Sequence, residues 1–418
     1  MQCSIVGCDW PTPGRVCPKD DCAVLGVPNE DRIQTTHNLE DRMKRSMTGL
    51  AAAILLAATR AFATGAPDVQ WTKTFAGVGQ AEGCYVEQTT DGGYFAVGTT
   101  YSDNWQTARL LLVKLNSSGD TTWTRTISGP GRIEAYSAQQ IADGYVVGVN
   151  GGLVDTTRPD VYLMKVDGLG NFVWQTNLSG GVIPRGAKGY SVVQTNDGGY
   201  AVSASGFPSD TAILLFRTDG LGDRQWFRRY AVGIDDWCYD RISLSRTSDG
   251  GYIIGAKKLI KVDSEGNPEW MKSLGVAHSA NSAIQTSDGG YVQTGPTWGW
   301  GSIYLKKWRA DGSSDWLGEY AYGEPSSSDW VERTSDGGFV VAGGYKPSSS
   351  VVAAIVRTTS SGTHVWTDSL FRGGATCVRQ TLDGGYIATG CYWEPTPGFG
   401  KSFLFLTKLA PEQKRGKR

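Results

Sequence analysis

Gln285-Thr286-Ser287-Asp288-Gly289-Gly290-Tyr291 is one copy of a short motif that recurs along most of the chain. Its Asp-Gly-Gly-aromatic end occurs six times in full and once in a contracted form, at Asp91–Tyr94, Asp143–Tyr145, Asp197–Tyr200, Asp249–Tyr252, Asp288–Tyr291, Asp336–Phe339 and Asp383–Tyr386. Asp-Gly between β-prone segments favours a hairpin, because glycine adopts positive φ without steric cost and aspartate tolerates the left-handed region. Each copy therefore predicts a turn between two strands.

A second motif follows each of these turns and is clearest between Val161 and Trp174, where a strand, a glycine turn and a strand entered by tryptophan succeed one another. Its basic residue recurs as Lys114, Lys165, Arg217, Lys261, Lys307, Arg357 and Lys408. Its turn glycine recurs as Gly119, Gly170, Gly222, Gly266, Gly312 and Gly362. Its tryptophan recurs as Trp123, Trp174, Trp226, Trp270, Trp316 and Trp366. The second motif thus predicts another hairpin in every repeat.

Four predicted strands in each unit of about 40 to 55 residues are typical of a β-propeller blade. The last unit ends after Lys408 without its tryptophan strand, whereas Trp71–Phe75 forms an unclaimed tryptophan strand at the other end of the repeats. Pairing the two gives seven complete units and removes exposed sheet edges. The sequence therefore predicts an all-β fold, a seven-bladed β-propeller of four-stranded blades over residues 64–410, whose N-terminal strand closes the last blade.

One tryptophan per unit at a fixed position favours packing between neighbouring blades over ligand stacking. We therefore interpret Trp71 and the six tryptophans of the second motif as structural anchors. For the recurring Lys/Arg residues, pairing within the blade and a solvated column both remain open.

The composition fits many short strands joined by tight turns, with 56 Gly, 15 Trp and 19% charged residues among 418. Lys plus Arg number 40 and Asp plus Glu number 41, so no net field attracts nucleic acid or an anionic membrane. Nucleic acid is excluded as an expected partner, and we expect a monomer.

Residues 43–63 resemble a secretory signal peptide, with basic Lys44-Arg45, a short apolar run and Ala61-Phe62-Ala63 before the cleavage point. The apolar run is shorter than a bilayer span, which disfavours the alternative of a membrane anchor. We expect residues 1–42 to be a disordered upstream extension produced by a start-site error and residues 411–418 to be a disordered basic tail. The prediction is a secreted, periplasmic or cell-surface protein without a membrane span after cleavage.

Cysteines at 3, 8, 17 and 22 lack the Cys-x-x-Cys spacing of structural zinc modules, so no metal is predicted there. In an exported protein the remaining cysteines can oxidise. Cys377 and Cys391 flank the last Asp-Gly-Gly turn, and we predict them as a disulfide pair, with two buried free thiols as the open alternative.

The motifs Gln-Thr-x-Asp-Gly-Gly-Tyr and Lys-x-Asp-x-x-Gly-Asn-x-x-Trp resemble a repeat of secreted bacterial and archaeal β-propeller proteins, over residues 68–410. The second motif is also similar to the tryptophan-docking motif of quinoprotein-like propellers. This resemblance implies four strands numbered from centre to rim, with tryptophan on the outermost strand. Quinone chemistry does not follow, because the chain has no adjacent cysteine pair.

In that arrangement the long, irregular connections between the second and third strands and between blades lie on one face. Loops on a rigid scaffold are where binding residues concentrate. The predicted ligand-binding residues are the aromatic and acidic residues of these loops: Trp105, Asp235, Asp236, Trp237, Tyr239, Trp298, Trp300, Trp330, Tyr392 and Trp393. Such residues suit a glycan or an extracellular protein or peptide. The alternative is that these aromatics fold back and cap the blades.

Catalysis has weak support, because the chain after the signal peptide has only His278 and His364 and no nucleophile or zinc-protease motif. No cofactor is predicted, although Asp167 and Asp219 lie in turns where calcium is an alternative. We therefore predict a non-catalytic binding propeller. The alternative is a carbohydrate-active enzyme, a glycosidase or lyase, that uses loop carboxylates.

Overall fold

The computed structural model describes residues 65–76, 79–102, 105–129, 131–151, 160–181, 183, 187–206, 212–231, 241–274, 280–295, 302–321, 327–347, 350–394 and 400–412. The predicted extension, the predicted signal peptide and residues 413–418 lie outside these ranges. The regular structure of the described ranges consists of antiparallel strands. They contain no helix with the length and apolar character needed to cross a bilayer.

The strands form groups of four neighbours, which we call blades and number along the chain. Blade 1 contains β2 (Gln80–Gln88), β3 (Tyr94–Tyr101), β4 (Ala108–Leu115) and β5 (Thr121–Ile127). Blade 2 contains β6 (Glu134–Ile141), β7 (Gly144–Asn150), β8 (Val161–Asp167) and β9 (Phe172–Asn177). Blade 3 contains β10 (Ala187–Gln194), β11 (Tyr200–Gly206), β12 (Ala212–Thr218) and β13 (Arg224–Ala231). Blade 4 contains β14 (Ser243–Arg246), β15 (Tyr252–Gly255), β16 (Lys258–Val262) and β17 (Pro268–Ser273).

Blade 5 contains β18 (Ser282–Gln285), β19 (Tyr291–Thr294), β20 (Ile303–Trp308) and β21 (Ser314–Tyr320). Blade 6 contains β22 (Ser327–Arg333), β23 (Phe339–Tyr345), β24 (Val352–Thr358) and the first half of β25 (His364–Gln380). Blade 7 contains the second half of β25, β26 (Tyr386–Trp393), β27 (Ser402–Leu409) and β1 (Val69–Phe75). Because β25 pairs with β24 through its first half and with β26 through its second, blades 6 and 7 form one continuous seven-stranded sheet.

The N-terminal strand lies in the last blade. β1 pairs antiparallel with β27, with Trp71 opposite Lys408 and Phe75 opposite Leu404. Blade 7 also packs against blade 1, since Leu404 and Leu406 belong to the same buried cluster as Val86 and Leu112. The first and last repeats of the chain are therefore direct neighbours.

Each Asp-Gly-Gly turn is joined to the third strand of its own blade by an ion pair. In blade 1, Lys114 Nζ lies 2.8 Å from Asp91 Oδ2, with the lysine side chain 7% exposed and the carboxylate 62% exposed. The same pair occurs in every blade at 2.5 to 2.9 Å: Lys165–Asp143, Arg217–Asp197, Lys261–Asp249, Lys307–Asp288, Arg357–Asp336 and Lys408–Asp383. The basic column is thus buried and paired within the blade.

Hydrogen bonds lower the pKa of the turn carboxylates of Asp91 and Asp288. Desolvation raises the pKa of Asp91, but hydrogen bonds from Lys114, Thr89 and the Gly93 N–H outweigh it and lower the pKa to about 2. The pKa of Asp288 is lowered to about 2 for the same reasons. The turn is therefore ionised and paired throughout the physiological range.

The recurring tryptophans lie against glycines of the following blade. A Cβ atom added to the turn glycine would lie 2.5 to 3.1 Å from the indole in six pairs: Trp71–Gly119, Trp123–Gly170, Trp174–Gly222, Trp226–Gly266, Trp270–Gly312 and Trp316–Gly362. Trp366 is fully buried and packs edge-on against Tyr386 at 5.6 Å. The indoles thus occupy the contact between neighbouring blades.

The predicted Cys377–Cys391 disulfide is wrong. Cys377 pairs with Thr389 and Cys391 with Gly374, because the turn aligns Gln380 with Tyr386 and this register leaves the two cysteines at different positions along the hairpin. Both are free and buried. Desolvation raises the pKa of the Cys377 thiol to about 12. The open alternative of two buried thiols is therefore the observed one.

Candidate functional site

The first strands of all seven blades surround one cavity. A space of about 400 Å³ is lined from each of them, by residues that include Glu87, Gln139, Gln194, Arg246, Ile284, Glu332 and Arg379. A second space of about 930 Å³ shares Glu87, Glu332, Arg333 and Arg379 with the first and extends among the Asp-Gly-Gly turns of blades 6, 7 and 1. Together we call them the channel and its mouth.

Three positions of each first strand are named here by their place before the residue that opens the turn, which is threonine in six blades and Ile141 in blade 2. Position a holds Tyr85, Ser137, Ser191, Ser243, Ser282, Trp330 and Cys377. Position c holds Glu87, Gln139, Val193, Ser245, Ile284, Glu332 and Arg379. Position d holds Gln88, Gln140, Gln194, Arg246, Gln285, Arg333 and Gln380.

Serine at position a joins neighbouring blades. The hydroxyl oxygen of Ser243 accepts the N–H of Ala283 at 2.9 Å, and that of Ser282 accepts the N–H of Val331 at 3.2 Å. Ser137 accepts from Val192 at 3.4 Å in the same way. Blades 1, 6 and 7 replace this serine with Tyr85, Trp330 and Cys377, so the serine is lost in three consecutive blades. The Cys377 thiol still bonds the next blade, since it donates to the Val86 carbonyl as Ser191 donates to the Leu244 carbonyl.

The residue at position c forms a second hydrogen bond between neighbouring blades when its side chain can accept a backbone N–H. Gln139 Oε1 accepts the Gln194 N–H at 2.7 Å, and Glu332 Oε1 accepts the Gln380 N–H at 3.2 Å. Glu87 Oε1 accepts the Gln140 N–H at 2.5 Å. In blade 7 this position holds Arg379, which cannot accept a hydrogen bond. The arginine instead lies between the two glutamates of blades 6 and 1.

Arg379 is the centre of a polar network that we call the Arg379 cluster, composed of Tyr85, Glu87, Trp330, Glu332 and Arg379. Its Nε lies 2.6 Å from Glu332 Oε2, and its Nη1 donates to the Tyr85 hydroxyl at 2.6 Å. The Tyr85 hydroxyl donates in turn to Glu87 Oε2 at 3.2 Å. The guanidinium also lies 5.6 Å from the Tyr85 ring and 5.8 Å from the Trp330 ring.

Desolvation sets the protonation of this cluster. It raises the pKa of Glu87 to about 7, against the lowering effects of Arg379 and of the Gln140 N–H. Desolvation also raises the pKa of Glu332. For Arg379, desolvation lowers the pKa, but Glu332 and Tyr85 outweigh it and the pKa is raised. Near neutral pH the cluster therefore holds a Glu332–Arg379 ion pair and a Glu87 carboxyl that exchanges its proton.

The structure separates the predicted ligand residues. Asp235, Asp236, Trp237, Tyr239, Trp298 and Trp300 lie outside the described residues. Trp105 lies 4.7 Å from the Tyr101 ring of its own blade, and its carbonyl accepts a hydrogen bond from Arg132. Tyr392 and Trp393 end β26, where Tyr392 packs on Phe371 and Phe403.

Trp330 lies inside β22, the first strand of its blade, whereas Tyr392 and Trp393 lie at the end of β26. It packs edge-on against Tyr85 at 5.7 Å and belongs to the Arg379 cluster. Sequence reasoning missed Tyr85, Glu87, Glu332 and Arg379. The sequence could have indicated them through their departure from the repeat. At positions a and c of the first strand, they replace the serine, glutamine or small apolar residues of other blades.

The described residues contain no group of three or more His, Cys, Asp and Glu side chains arranged to hold a metal. At the turn where calcium was an alternative, Asp167 Oδ1 accepts the N–H groups of Leu169 and Asn171 at 2.9 and 2.8 Å. Asp219 Oδ1 accepts the N–H groups of Leu221 and Asp223 at 2.9 Å. These carboxylates stabilise their own turns.

No known family and no curated protein matches the sequence. Among solved structures, a streptogramin B lyase matches with a TM-score of 0.51 and 12% identity, over 81% of this chain and 97% of that one. A protein of unknown function from Dyadobacter fermentans DSM 18053 matches with a TM-score of 0.50 and 13% identity, over 82% and 99% of the two chains. The Dos1 propeller matches with a TM-score of 0.48 and 10% identity, over 78% and 81%.

Identities this low concern the fold alone. With the antiparallel four-stranded sheets, the first two of these likenesses define the class of the protein as an all-β protein of the β-propeller type.

Proposed function

We propose that the chain is a closed seven-bladed β-propeller that works outside the cytoplasm as a non-catalytic binding protein, with a glycan or an extracellular peptide as its ligand. The observation that carries the proposal is the Arg379 cluster, which borders the channel mouth where three consecutive blades depart from the repeat. Polar residues that replace a working structural contact require another role. Ligand binding is the role that suits a cluster lining a cavity.

Closure of the ring is supported by hydrogen bonds between the last and first blades. The Leu382 N–H donates to Gln88 Oε1 at 2.7 Å, and Thr376 Oγ1 donates to the Gly83 carbonyl at 2.8 Å. Further along the same strands, the Cys377 thiol donates to the Val86 carbonyl at 3.7 Å. Blade 7 therefore contacts blade 1 as the other blades contact their neighbours.

The channel mouth is favoured over the loop-bearing face because of what the described loop aromatics contact. Trp105 and Tyr392 pack against aromatic residues of their own blades, which is the behaviour expected of caps. The channel cluster, in contrast, has polar atoms beside open space. A role for Trp237, Trp298 and Trp300 in binding stays a prediction.

The mixture of donors and acceptors at the mouth suits hydroxyl and amide groups. Glu87 donates when protonated and accepts when ionised, and the Arg379 guanidinium and Tyr85 hydroxyl are held in place by their mutual bond. The mouth volume of about 930 Å³ falls at the upper end of the range for small-ligand sites. A short segment of a glycan or peptide fits this chemistry.

Removal of one hydroxyl group tests the proposal. Tyr85→Phe breaks the link between Arg379 and Glu87, and we expect it to weaken binding to the ligand found in a glycan and peptide panel by about tenfold. Tyr230→Phe is the matched control, because its hydroxyl donates to the Gly266 carbonyl away from the channel. Affinity is measured by calorimetry at neutral pH.

Trp298→Ala distinguishes the two faces in the same assay. Unchanged affinity in Trp298→Ala together with the loss in Tyr85→Phe supports the channel mouth. Loss of binding in Trp298→Ala with none in Tyr85→Phe would move the site to the loop-bearing face. A wild-type protein that binds nothing in either panel would contradict the binding function.

A carbohydrate-active enzyme is the second candidate, and Glu87 is the observation that favours it. A general acid or base works best with a pKa near the working pH, and the pKa of Glu87 is about 7. If Glu87 performs catalysis, glycan cleavage by the wild type is abolished in Glu87→Gln while binding remains. Absence of new reducing ends or unsaturated products with the wild type would exclude this candidate for the glycans tested.

A further inference from the structure

We call the contact between the first strands of two neighbouring blades a joint. The joint between blades 5 and 6 lacks a hydrogen-bond acceptor that most other joints provide. At four joints a position d glutamine accepts the N–H of the first turn residue in the preceding blade. These bonds run from Thr90 to Gln140 at 2.8 Å, from Ser248 to Gln285, from Ser335 to Gln380 and from Leu382 to Gln88, the last three at 2.7 Å. The interaction ties each turn to the neighbouring blade.

Between blades 5 and 6 the corresponding residues are Ser287 and Arg333. A guanidinium has only donors, so Arg333 cannot accept the Ser287 N–H. Within the described residues, neither the Ser287 N–H nor the Arg333 side chain has a hydrogen-bond or ion-pair partner. Arg246, the other position d arginine, differs because it donates to the Asn196 side chain and to the Gln194 carbonyl.

The second acceptor is also missing at this joint. Where position c holds Glu87, Gln139 or Glu332, it accepts the N–H of the next position d residue. Position c of blade 5 is Ile284, an apolar side chain, and the described residues supply no acceptor for the Arg333 N–H. At the other joints, the N–H groups at these two positions point towards the neighbouring blade. We therefore infer that the N–H groups of Arg333 and Ser287 both point into the gap between blades 5 and 6.

Three donors, one of them charged, thus border the mouth with no acceptor from the described part of the protein. Arg333 lines both the channel and its mouth, and Ser287 lines the mouth. Two of the carboxylates that line the mouth are already paired, Glu332 with Arg379 and Asp336 with Arg357. The exposed guanidinium of Arg333 is therefore open to a ligand.

We propose that Arg333, with the N–H groups of Ser287 and Arg333, binds a carboxylate group of the ligand at the channel mouth. The planar guanidinium matches the two oxygens of a carboxylate, and charge-assisted bonds of this kind are strong. A singly charged group suits this mouth better than a doubly charged one, because Glu332 and Asp336 also line it. The inference rests on the proposed binding function and names the ligand chemistry.

Arg333→Gln is the sharpest test, because it introduces the glutamine that accepts a turn N–H at four other joints and supplies the missing acceptor for Ser287. The variant should melt no lower than the wild type. Arg109→Gln, at an exposed position of β4 outside the lining of the channel and its mouth, is the control with the same change of charge. The two charged probes are a galacturonate trisaccharide and a tripeptide with a free C-terminal carboxylate. Their neutral counterparts are a galactose trisaccharide and the tripeptide amide.

We expect the wild type to bind one charged probe more tightly than its neutral counterpart. Whether that probe is the trisaccharide or the tripeptide identifies the source of the carboxylate. Arg333→Gln should weaken binding of that probe by about tenfold or more and erase the preference for charge. Arg109→Gln should change it by less than about twofold.

Three results would overturn the inference. One is a wild type that binds neither charged probe better than its neutral counterpart. Another is an Arg333→Gln variant with wild-type affinity, and the third is an equal loss in Arg109→Gln. In each case the binding function itself stands if a panel ligand still loses affinity in Tyr85→Phe, so the two proposals fail separately.

Discussion

Two carboxylates a few residues apart in the first repeat show how hydrogen bonding lowers a pKa and how burial raises one. Asp91 accepts bonds from a lysine, a threonine and a backbone N–H, and its pKa is about 2. Glu87 lies at the channel, where desolvation outweighs its hydrogen bonds, and its pKa is about 7. The first residue maintains the turn at any physiological pH, whereas the second changes charge within that range.

The raised pKa of Glu87 predicts a pH-dependent stability. Between pH about 4.5 and 7 the folded protein holds a proton on Glu87 that the unfolded chain has released, so stability falls as pH rises through this window. The turn aspartates act in the opposite direction, and only below their ordinary pKa of 3.8. We expect the melting temperature of the wild type to fall between pH 5 and pH 8.

Glu87→Gln isolates this contribution, because glutamine at position c still accepts the next N–H, as Gln139 does. The variant should show a smaller drop in melting temperature over the same interval, with the remainder due to Glu332 and other groups. Glu265→Gln, on an exposed turn, serves as the control. An identical pH dependence in the wild type and in Glu87→Gln would show that Glu87 titrates normally.

At the level of the strand and turn, the two glycine turns of a blade have similar backbones and different surroundings. In blade 4, Gly250 has φ of +86° and Gly266 has φ of +76°. An added Cβ would meet no atom within 4 Å at Gly250 but would lie 2.9 Å from the Trp226 ring at Gly266. Arg228 lies 4.7 Å from that ring on the same strand and limits its movement.

Alanine at these two positions separates backbone strain from blade packing. Gly250→Ala should cost about 1–2 kcal/mol, the usual penalty for a left-handed alanine. Gly266→Ala should cost that amount plus about 1–3 kcal/mol for displacing the indole. Urea unfolding measures both free energies. Equal costs would show that the tryptophan moves aside freely and that its contact with Gly266 contributes little to stability.

At the level of the whole molecule, the N-terminal strand decides whether the last blade is complete. β1 covers the outer edge of β27, and its Trp71 packs edge-on against Tyr94 of blade 1 at 5.5 Å. Without β1, the edge of β27 would be free to pair with other chains. The strand is separated from its partner by more than three hundred residues, so this pairing joins the two ends of the repeat array.

Deletion of residues 65–75 tests this role. We expect a loss of about 3–5 kcal/mol from Trp71 alone, and concentration-dependent association through the uncovered edge. Light scattering and thermal unfolding measure the two effects. Deletion of residues 413–418 is the control and should leave both unchanged. A truncated protein that stays monomeric and melts as the wild type does would contradict the closing role of β1.

The sequence alone determined the repeats, the strands and the pairing of β1 with the last blade. These features depend on local chemistry that recurs, such as aspartate and glycine in turns with positive φ, or tryptophan four residues after the glycine of a turn. Local conformational preferences act over a few residues, so they can be recognised in a single chain. The pairing of Asp288 with Lys307 was left open at that stage, since side-chain contacts depend on how the two hairpins align.

Only the tertiary structure decided the candidate site and the cysteines. Glu87, Glu332 and Arg379 come together because blades 6, 7 and 1 are neighbours, although more than two hundred residues separate Glu87 from the other two. The proposed Cys377–Cys391 bond failed because the register of the hairpin places Cys377 opposite Thr389 and Cys391 opposite Gly374. Desolvation and strand register both depend on the assembled sheets, so no short stretch of sequence contains them.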